Sequence, residues 1–143
     1  MNAKNEQFNI FEEGGDLSSS GLALDRCEAA AKSAQLDFFE VQVGRAKSKS
    51  AVLKSIARTL DFPEHFGSNL DALYDCLTDM VVEHPKGLCV VLRGLHTREP
   101  ALGGHVPALR QVLEDAAAFA RERQRCFTFY IEELDAMVEP LEP

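Results

Sequence analysis

Asp71, Asp75, Asp79 and Glu83 are four carboxylates spaced four residues apart, and they set the chemistry open to this chain. At ~100° per residue they fall near 160° on a helical wheel with Leu70 at zero. Leu73, Leu77, Met80 and Val81 gather around roughly 330°, almost opposite. The spacing therefore predicts a helix with a packing face and, behind it, an acidic ridge in water. Tyr74 lies beside the ridge, where its ring can be presented at the margin. From Asp61 to Pro85 there are six acidic residues and no Lys or Arg. Like charges four apart destabilise a helix by roughly 0.2–0.5 kcal/mol per pair, and the ridge holds three such pairs. Asp71 regains part of this from the N-terminal end of the helix dipole, whereas Asp79 and Glu83 do not. The pattern fits two readings: the solvated face of an acidic protein, or a surface waiting for positive charge.

Other chemistries fit less well. Asp71 and Asp75 could contribute two oxygens to a divalent cation, but Mg²⁺ and Ca²⁺ sites collect further oxygen ligands from loops. No metal and no cofactor is expected. His65 with Asp71 has the residue types of a general-base pair. The chain has no Gly-x-Ser-x-Gly elbow, no phosphate loop and no His-Glu-x-x-His. His84, His96 and His105 fall at turns or in loops. No catalytic residue is assigned, and the chain is read as a binding protein and not as an enzyme. Cys27, Cys76, Cys89 and Cys126 are widely separated and form no Cys-x-x-Cys pair, so they read as buried free thiols and not as a zinc site.

Composition narrows the partners. The chain has 143 residues, 45% of them apolar, and a net charge of −8. This suits a single globular domain that repels nucleic acid and anionic membranes and attracts a basic protein. No apolar run approaches the ~20 residues of a membrane span. The first fifteen residues lack the basic and apolar regions of a secretory signal. Together with the free thiols, this places the protein in the cytoplasm.

The elements that must hold the acidic helix follow from periodicity. Residues 1–20 are poorly specified: Gln7 to Phe11 has the character of a short strand, while Gly14-Gly15 and Ser18 to Ser20 read as loop. An Ala-rich helix runs from Asp25 to Gln35, and Phe38 to Val43 is a strand closed by Gly44. Ser50 suits the cap of a helix whose core face is Val52, Leu53, Ile56, Ala57 and Leu60. Pro63 stops it. Gly67 allows a turn, and Ser68 or Asn69 can cap the acidic helix. Leu88 to Leu92 is a continuous apolar run, as in a parallel strand covered on both faces. Thr97 to His105 is loop, and a helix from Pro107 to about Arg123 leads to a last strand, Cys126 to Ile131. From Glu132 the tail is acidic and expected to fray. The domain boundaries are drawn at 21–135, with residues 136–143 as a mobile tail. Alternating strands and helices favour an α/β fold with a small parallel sheet.

The run from Phe62 to Thr78, Phe-Pro-Glu-His-Phe-Gly-Ser-Asn-Leu-Asp-Ala-Leu-Tyr-Asp-Cys-Leu-Thr, resembles the central segment of the barstar family, intracellular inhibitors of secreted ribonucleases such as barnase. The register holds without a gap. Leu60, Ile56 and Val52 fall on leucines of the preceding helix in that family. In element order the resemblance spans roughly 38–131, and residues 1–36 are similar to the N-terminal extensions of other barstar-like bacterial proteins. It implies a three-stranded parallel sheet packed by helices, with the extra N-terminal helix able to cover a sheet edge. It also implies a mechanism. The acidic helix and the loop before it plug the basic active site of a ribonuclease in a 1:1 complex, with carboxylates standing where substrate phosphates would. By position, Asp75 matches the acid seated deepest in that site and Asp71 a second contacting acid. Tyr74 replaces a tryptophan at the margin, and Gly67 and Asn69 keep the loop-to-helix geometry. His65 stands at a stacking tyrosine. Asp79 and Met80 replace a contacting glycine and tryptophan. Asp115, with Glu114 as the alternative, falls nearest to a contacting glutamate on a later helix. The departures at His65, Asp79 and Met80 leave open a barstar-fold binding or immunity protein with a partner other than a ribonuclease.

Overall fold

The computed structural model describes residues 9–64 and 66–134. Helices α1 (Ile10–Glu13), α2 (Cys27–Ser33), α3 (Lys49–Leu60), α4 (Leu70–Glu83), α5 (Pro100–Gly103) and α6 (Val106–Glu122) combine with strands β1 (Gly15–Asp16), β2 (Asp37–Gln42), β3 (Gly87–His96) and β4 (Cys126–Leu134). The strands form one parallel sheet in the order β1-β4-β3-β2. The α/β class and the parallel sheet agree with the sequence reading.

The sheet is covered on both faces, which explains the apolar run of β3. Leu88, Val90 and Leu92 join Phe127, Phe129 and Ile131 of β4 in a core roofed by α3, α4 and α6. Cys89, Val91 and Cys126 point the other way, into a second core completed by Ile10, Leu17, Cys27, Ala31 and Leu36. Strand alternation sends successive side chains to opposite faces, so a doubly covered strand loses its polar positions.

Several expectations are corrected. Among the described residues the sheet has four strands, because Gly15 and Asp16 pair with Thr128 and Phe129 at the β4 edge. The strand expected within Gln7 to Phe11 is instead a helical turn over Ile10–Glu13, capped by Asn9, whose side chain accepts from the Phe11 amide. Gln7 itself lies outside the described residues. The Ala-rich α2 covers a sheet face, and it is β1 that covers the edge. Backbone geometry enforces the join: Gly14 has φ +83°, and a Cβ there would stand 2.7 Å from the Phe127 carbonyl oxygen. Residues 132–134 do not fray but continue β4. A short helix, α5, interrupts the loop expected from Thr97 to His105. The tail at 136–143 lies outside the described residues.

Two further corrections concern α3, which delivers the chain to the acidic helix. Its cap is Ser48 and not Ser50: the Ser48 hydroxyl accepts from the Ala51 amide at 3.1 Å. Its stop is Asp61 and not Pro63. Asp61 adopts φ +60°, the Asp61 amide donates to Arg58, and the Phe62 amide donates back to Ala57 at 2.9 Å. This is the two-bond Schellman termination, with aspartate in the left-handed position that glycine usually fills.

Candidate functional site

The acidic helix α4 begins where its capping residue dictates. Ser68 turns the chain at φ +54°, and Asn69 then accepts a hydrogen bond from the Ala72 amide at 2.8 Å, an orphan donor of the first turn. Of the two capping residues the sequence offered, Asn69 is the one used. The Asn69 amide also donates to the Gly67 carbonyl at 3.3 Å, tying the loop to the helix. Upstream, the Phe62 and Phe66 rings pack 5.3 Å apart at the edge of the main core. His65 lies outside the described residues.

Leu73, Leu77 and Val81 are fully buried, as the wheel requires. Thr78 joins them, its hydroxyl donating to the Tyr74 and Asp75 carbonyls at 3.0 Å. Met80 is half-buried against the main core. Asp71, Asp75, Asp79 and Glu83 are exposed, and none forms an ion pair with a described residue.

The ridge is not isolated. Helix α6 packs against α4, and between them lies an open cleft of about 690 Å³. Asp71 and Asp75 enter it from α4, and Asp115 and Glu122 from α6. Its apolar floor includes Leu70, Val112 and Ala118. Tyr74 and Phe119 meet edge to face across it, with ring centroids 6.4 Å apart. Among the described residues no Lys or Arg lines the cleft. Arg123 borders the cleft, its guanidinium 3.6 Å over the Phe119 ring and 3.9 Å from the Glu122 carboxylate at the exposed rim. Carboxylates converging on low-dielectric walls focus a negative potential. Among the described residues no three His, Cys, Asp or Glu side chains are placed to hold a metal ion.

The structure thus brings Asp71, Tyr74, Asp75 and Asp115 together, with Gly67 and Asn69 forming the approach. Asp79 and Met80 lie beyond the cleft. Glu114, the alternative to Asp115, points instead to the recess around Arg110. Burial and the neighbouring Asp16 push its carboxyl above the usual range. Sequence reasoning missed Glu122 and Phe119 as cleft residues. At seven positions Glu122 returns to the face of Asp115, and Phe119 sits four positions on, so an i, i+4, i+7 reading of the α6 surface would have found both.

All four cysteines are free, with Cys27, Cys89 and Cys126 buried in the second core and Cys76 half-buried on α4. Burial pushes the Cys89 and Cys126 thiols up to about 12. The Cys76 thiol is raised by burial and then by Asp79 and Asp75. No described helix is long and apolar enough to cross a membrane.

Residues 36–132 match the family described as Barstar (barnase inhibitor). The chain belongs to the barstar family. It is also 40% identical over 57 residues to a Bacillus subtilis (strain 168) protein named "Putative ribonuclease inhibitor YrdF". That match covers 40% of this chain and 59% of the relative, so the chain spans little more than half the relative's length. Helices α4 and α6, and with them every cleft residue, lie inside the region matched to the family.

Proposed function

We propose that this barstar-family protein inhibits a ribonuclease by seating the α4–α6 cleft over the enzyme's basic active site. The observation that carries the reading is the convergence of Asp71, Asp75, Asp115 and Glu122 on one cleft that no described Lys or Arg lines. The repulsion within α4 lowers the stability of the free protein and is relieved when a cationic surface arrives. Charge complementarity of this kind speeds encounter and fixes register, and the barstar–barnase pair is itself the reference case for it. The Asn69 cap fixes the start of α4 in the free protein, which limits the ordering entropy that binding would cost. By family position Asp75 corresponds to the acid seated deepest in the enzyme, with Asp71 and Tyr74 beside it on α4, and occlusion requires no bond to be made or broken.

The test uses barnase as the probe and RNA cleavage as the readout, titrated with wild type, Asp71→Ala and Asp75→Ala. The reading expects 1:1 inhibition that weakens as salt rises. Asp75→Ala should cost the most, about 2–5 kcal/mol, the range for truncating one partner of a buried charge pair. Unchanged binding by both variants would remove the cleft from the proposal. A second reading, a barstar-fold binding protein for a different basic partner, is favoured by one observation: Asp79 and Met80 lie beyond the cleft. Capture of a secreted or cytosolic non-nuclease by wild type but not by Asp75→Ala, with barnase uninhibited, would establish that alternative.

A further inference from the structure

Residues 9–35 precede the family match, yet they are attached to the helix that forms one wall of the cleft. Arg110 of α6 donates to Asp16 of β1 at 2.5 Å and to Glu133 of β4 at 2.5 Å. One guanidinium thus bolts the extension, α6 and the last strand together. The Asp16 side chain in this joint is only 13% exposed. One helical stretch further on, Arg121 donates to the Glu13 carbonyl oxygen at 2.8 Å and lies 3.6 Å from its carboxylate. On a wheel of ~100° per residue, Arg110 and Arg121 share a stripe roughly 140° from Asp115, Phe119 and Glu122. Helix α6 therefore presents the cleft with one face and is gripped by the extension on another.

Among the described residues no ion pair joins α6 to α4 across the cleft. Beneath the cleft α4 and α6 share the main core, at its surface they meet through the Tyr74–Phe119 edge contact, and the like charges of Asp71, Asp75, Asp115 and Glu122 oppose that closure. The buried face of α6 (Leu109, Leu113, Ala116, Ala117, Ala120) holds it to the sheet and to α4, and the two arginine joints add a polar restraint on the side away from the cleft. Removing Arg110 would also leave Asp16 facing Glu114, whose carboxyl burial and Asp16 already push up, and the freed Glu133. The joint would then become repulsive and would not merely go slack.

We propose that residues 9–35 are a brace for the inhibitory surface: through Arg110–Asp16 and Arg121–Glu13 the extension sets the position of α6, and with it the width of the acid cleft. Arg110, Asp16 and Arg121 are positioning residues that need not touch the partner. The inference rests on the cleft being the binding surface, but its test is independent of any partner.

The chain contains two tyrosines, Tyr74 in the cleft wall and Tyr130 in the second core, and no tryptophan. Uniform 3-fluorotyrosine labelling therefore gives two ¹⁹F signals, assigned with Tyr130→Phe. The full-length wild type is compared with Arg110→Gln, Arg110→Lys and Asp16→Asn. Lys54→Gln is the control, removing the same charge from an exposed site on α3. The brace expects the Tyr74 signal to shift or broaden in Arg110→Gln and Asp16→Asn, to recover in part in Arg110→Lys, and to stay put in Lys54→Gln. Amide exchange along α6 should quicken at least tenfold in the same two variants, with α3 unchanged. A Tyr74 signal unmoved in both Arg110→Gln and Asp16→Asn, whatever Tyr130 does, would overturn the proposal and leave the extension a cover for the sheet. Barnase titration then adds a test of sign. Loss of a cation alone speeds association with a basic enzyme, whereas a displaced wall raises the dissociation rate, here expected to rise about tenfold.

Discussion

Asp79→Lys separates the two roles of the acidic ridge, because it should stabilise the protein while weakening its proposed binding. Asp79 is exposed, lies outside the cleft and stands four residues from both Asp75 and Glu83. A lysine there converts two repulsive contacts into attractive ones. At roughly 0.2–0.5 kcal/mol for each repulsion removed and each attraction gained, the sum is about 0.8–2 kcal/mol. The Asp75-to-lysine order is the favourable one and the lysine-to-Glu83 order is the weaker, and solvent screens both. A gain of about 1 kcal/mol is therefore expected, or about 2–4 °C in melting temperature for a chain of this size. Far-UV circular dichroism through urea unfolding is the assay, since no tryptophan is present. In 10 mM salt the midpoint should rise at constant slope. In 1 M salt the gain should largely vanish, because a Debye length of ~3 Å falls below the ~5–6 Å between such side chains. Association with a basic ribonuclease should slow, since two units of negative charge are lost beside the cleft. An unchanged or lowered midpoint at low salt would refute the claim that the ridge is under repulsion. A stabilised variant that associates as fast as wild type would refute the claim that the ridge steers the partner.

Other expectations follow from neighbouring residues. Asn69→Ala removes the side chain that accepts from the Ala72 amide and should cost about 1 kcal/mol in urea unfolding, with Asn69→Ser retaining most of it. His105 is held below its ordinary pKa by burial and then by Lys49, and its Nε2 is buried with no hydrogen-bond partner among the described residues. The unfolded chain therefore binds this proton more readily. Its contribution to stability is complete above the unfolded pKa of about 6.5 and is lost as pH falls toward the folded value. Unfolding midpoints at pH 7.5 and 5.5 should show this decline, and His105→Asn should reduce it. Toward a thiol reagent at pH 8, Cys76 should react first, and Cys27, Cys89 and Cys126 only as the chain unfolds. Asp79→Lys should quicken Cys76, because Asp79 is one of the groups that raise its pKa.

What the sequence disclosed depended on whether the signal was local. The apolar stripe of α4, its Asn cap and the doubly covered β3 were legible because helix and strand periodicities are properties of adjacent residues. The termination of α3 at Asp61 was missed because aspartate is an uncommon residue in the left-handed position, while Pro63 is a conventional stop. Strand β1 was missed for a different reason. Two residues, one of them glycine, carry no strand propensity, and they are extended because the edge of β4 is there to pair with. The cleft was half legible. Asp71 and Asp75 could be read from one helix, but their meeting with Glu122 and Phe119 depends on how α6 packs, which no local pattern encodes.

The placement of Asp79 and Met80 then constrains any footprint on α4. Family position alone would extend the binding surface along the whole helix to Met80. The structure turns Met80 toward the core and ends the cleft at Asp75, while α6 supplies a second wall with Asp115, Phe119 and Glu122. A partner that follows the negative potential would lean toward α6 and away from the C-terminal end of α4. In that geometry Asp79 acts through long-range steering, and Asp75 and Glu122 through contact. Their salt dependences should therefore separate: a defect at Asp79 should fade as salt rises, and defects at Asp75 and Glu122 should persist.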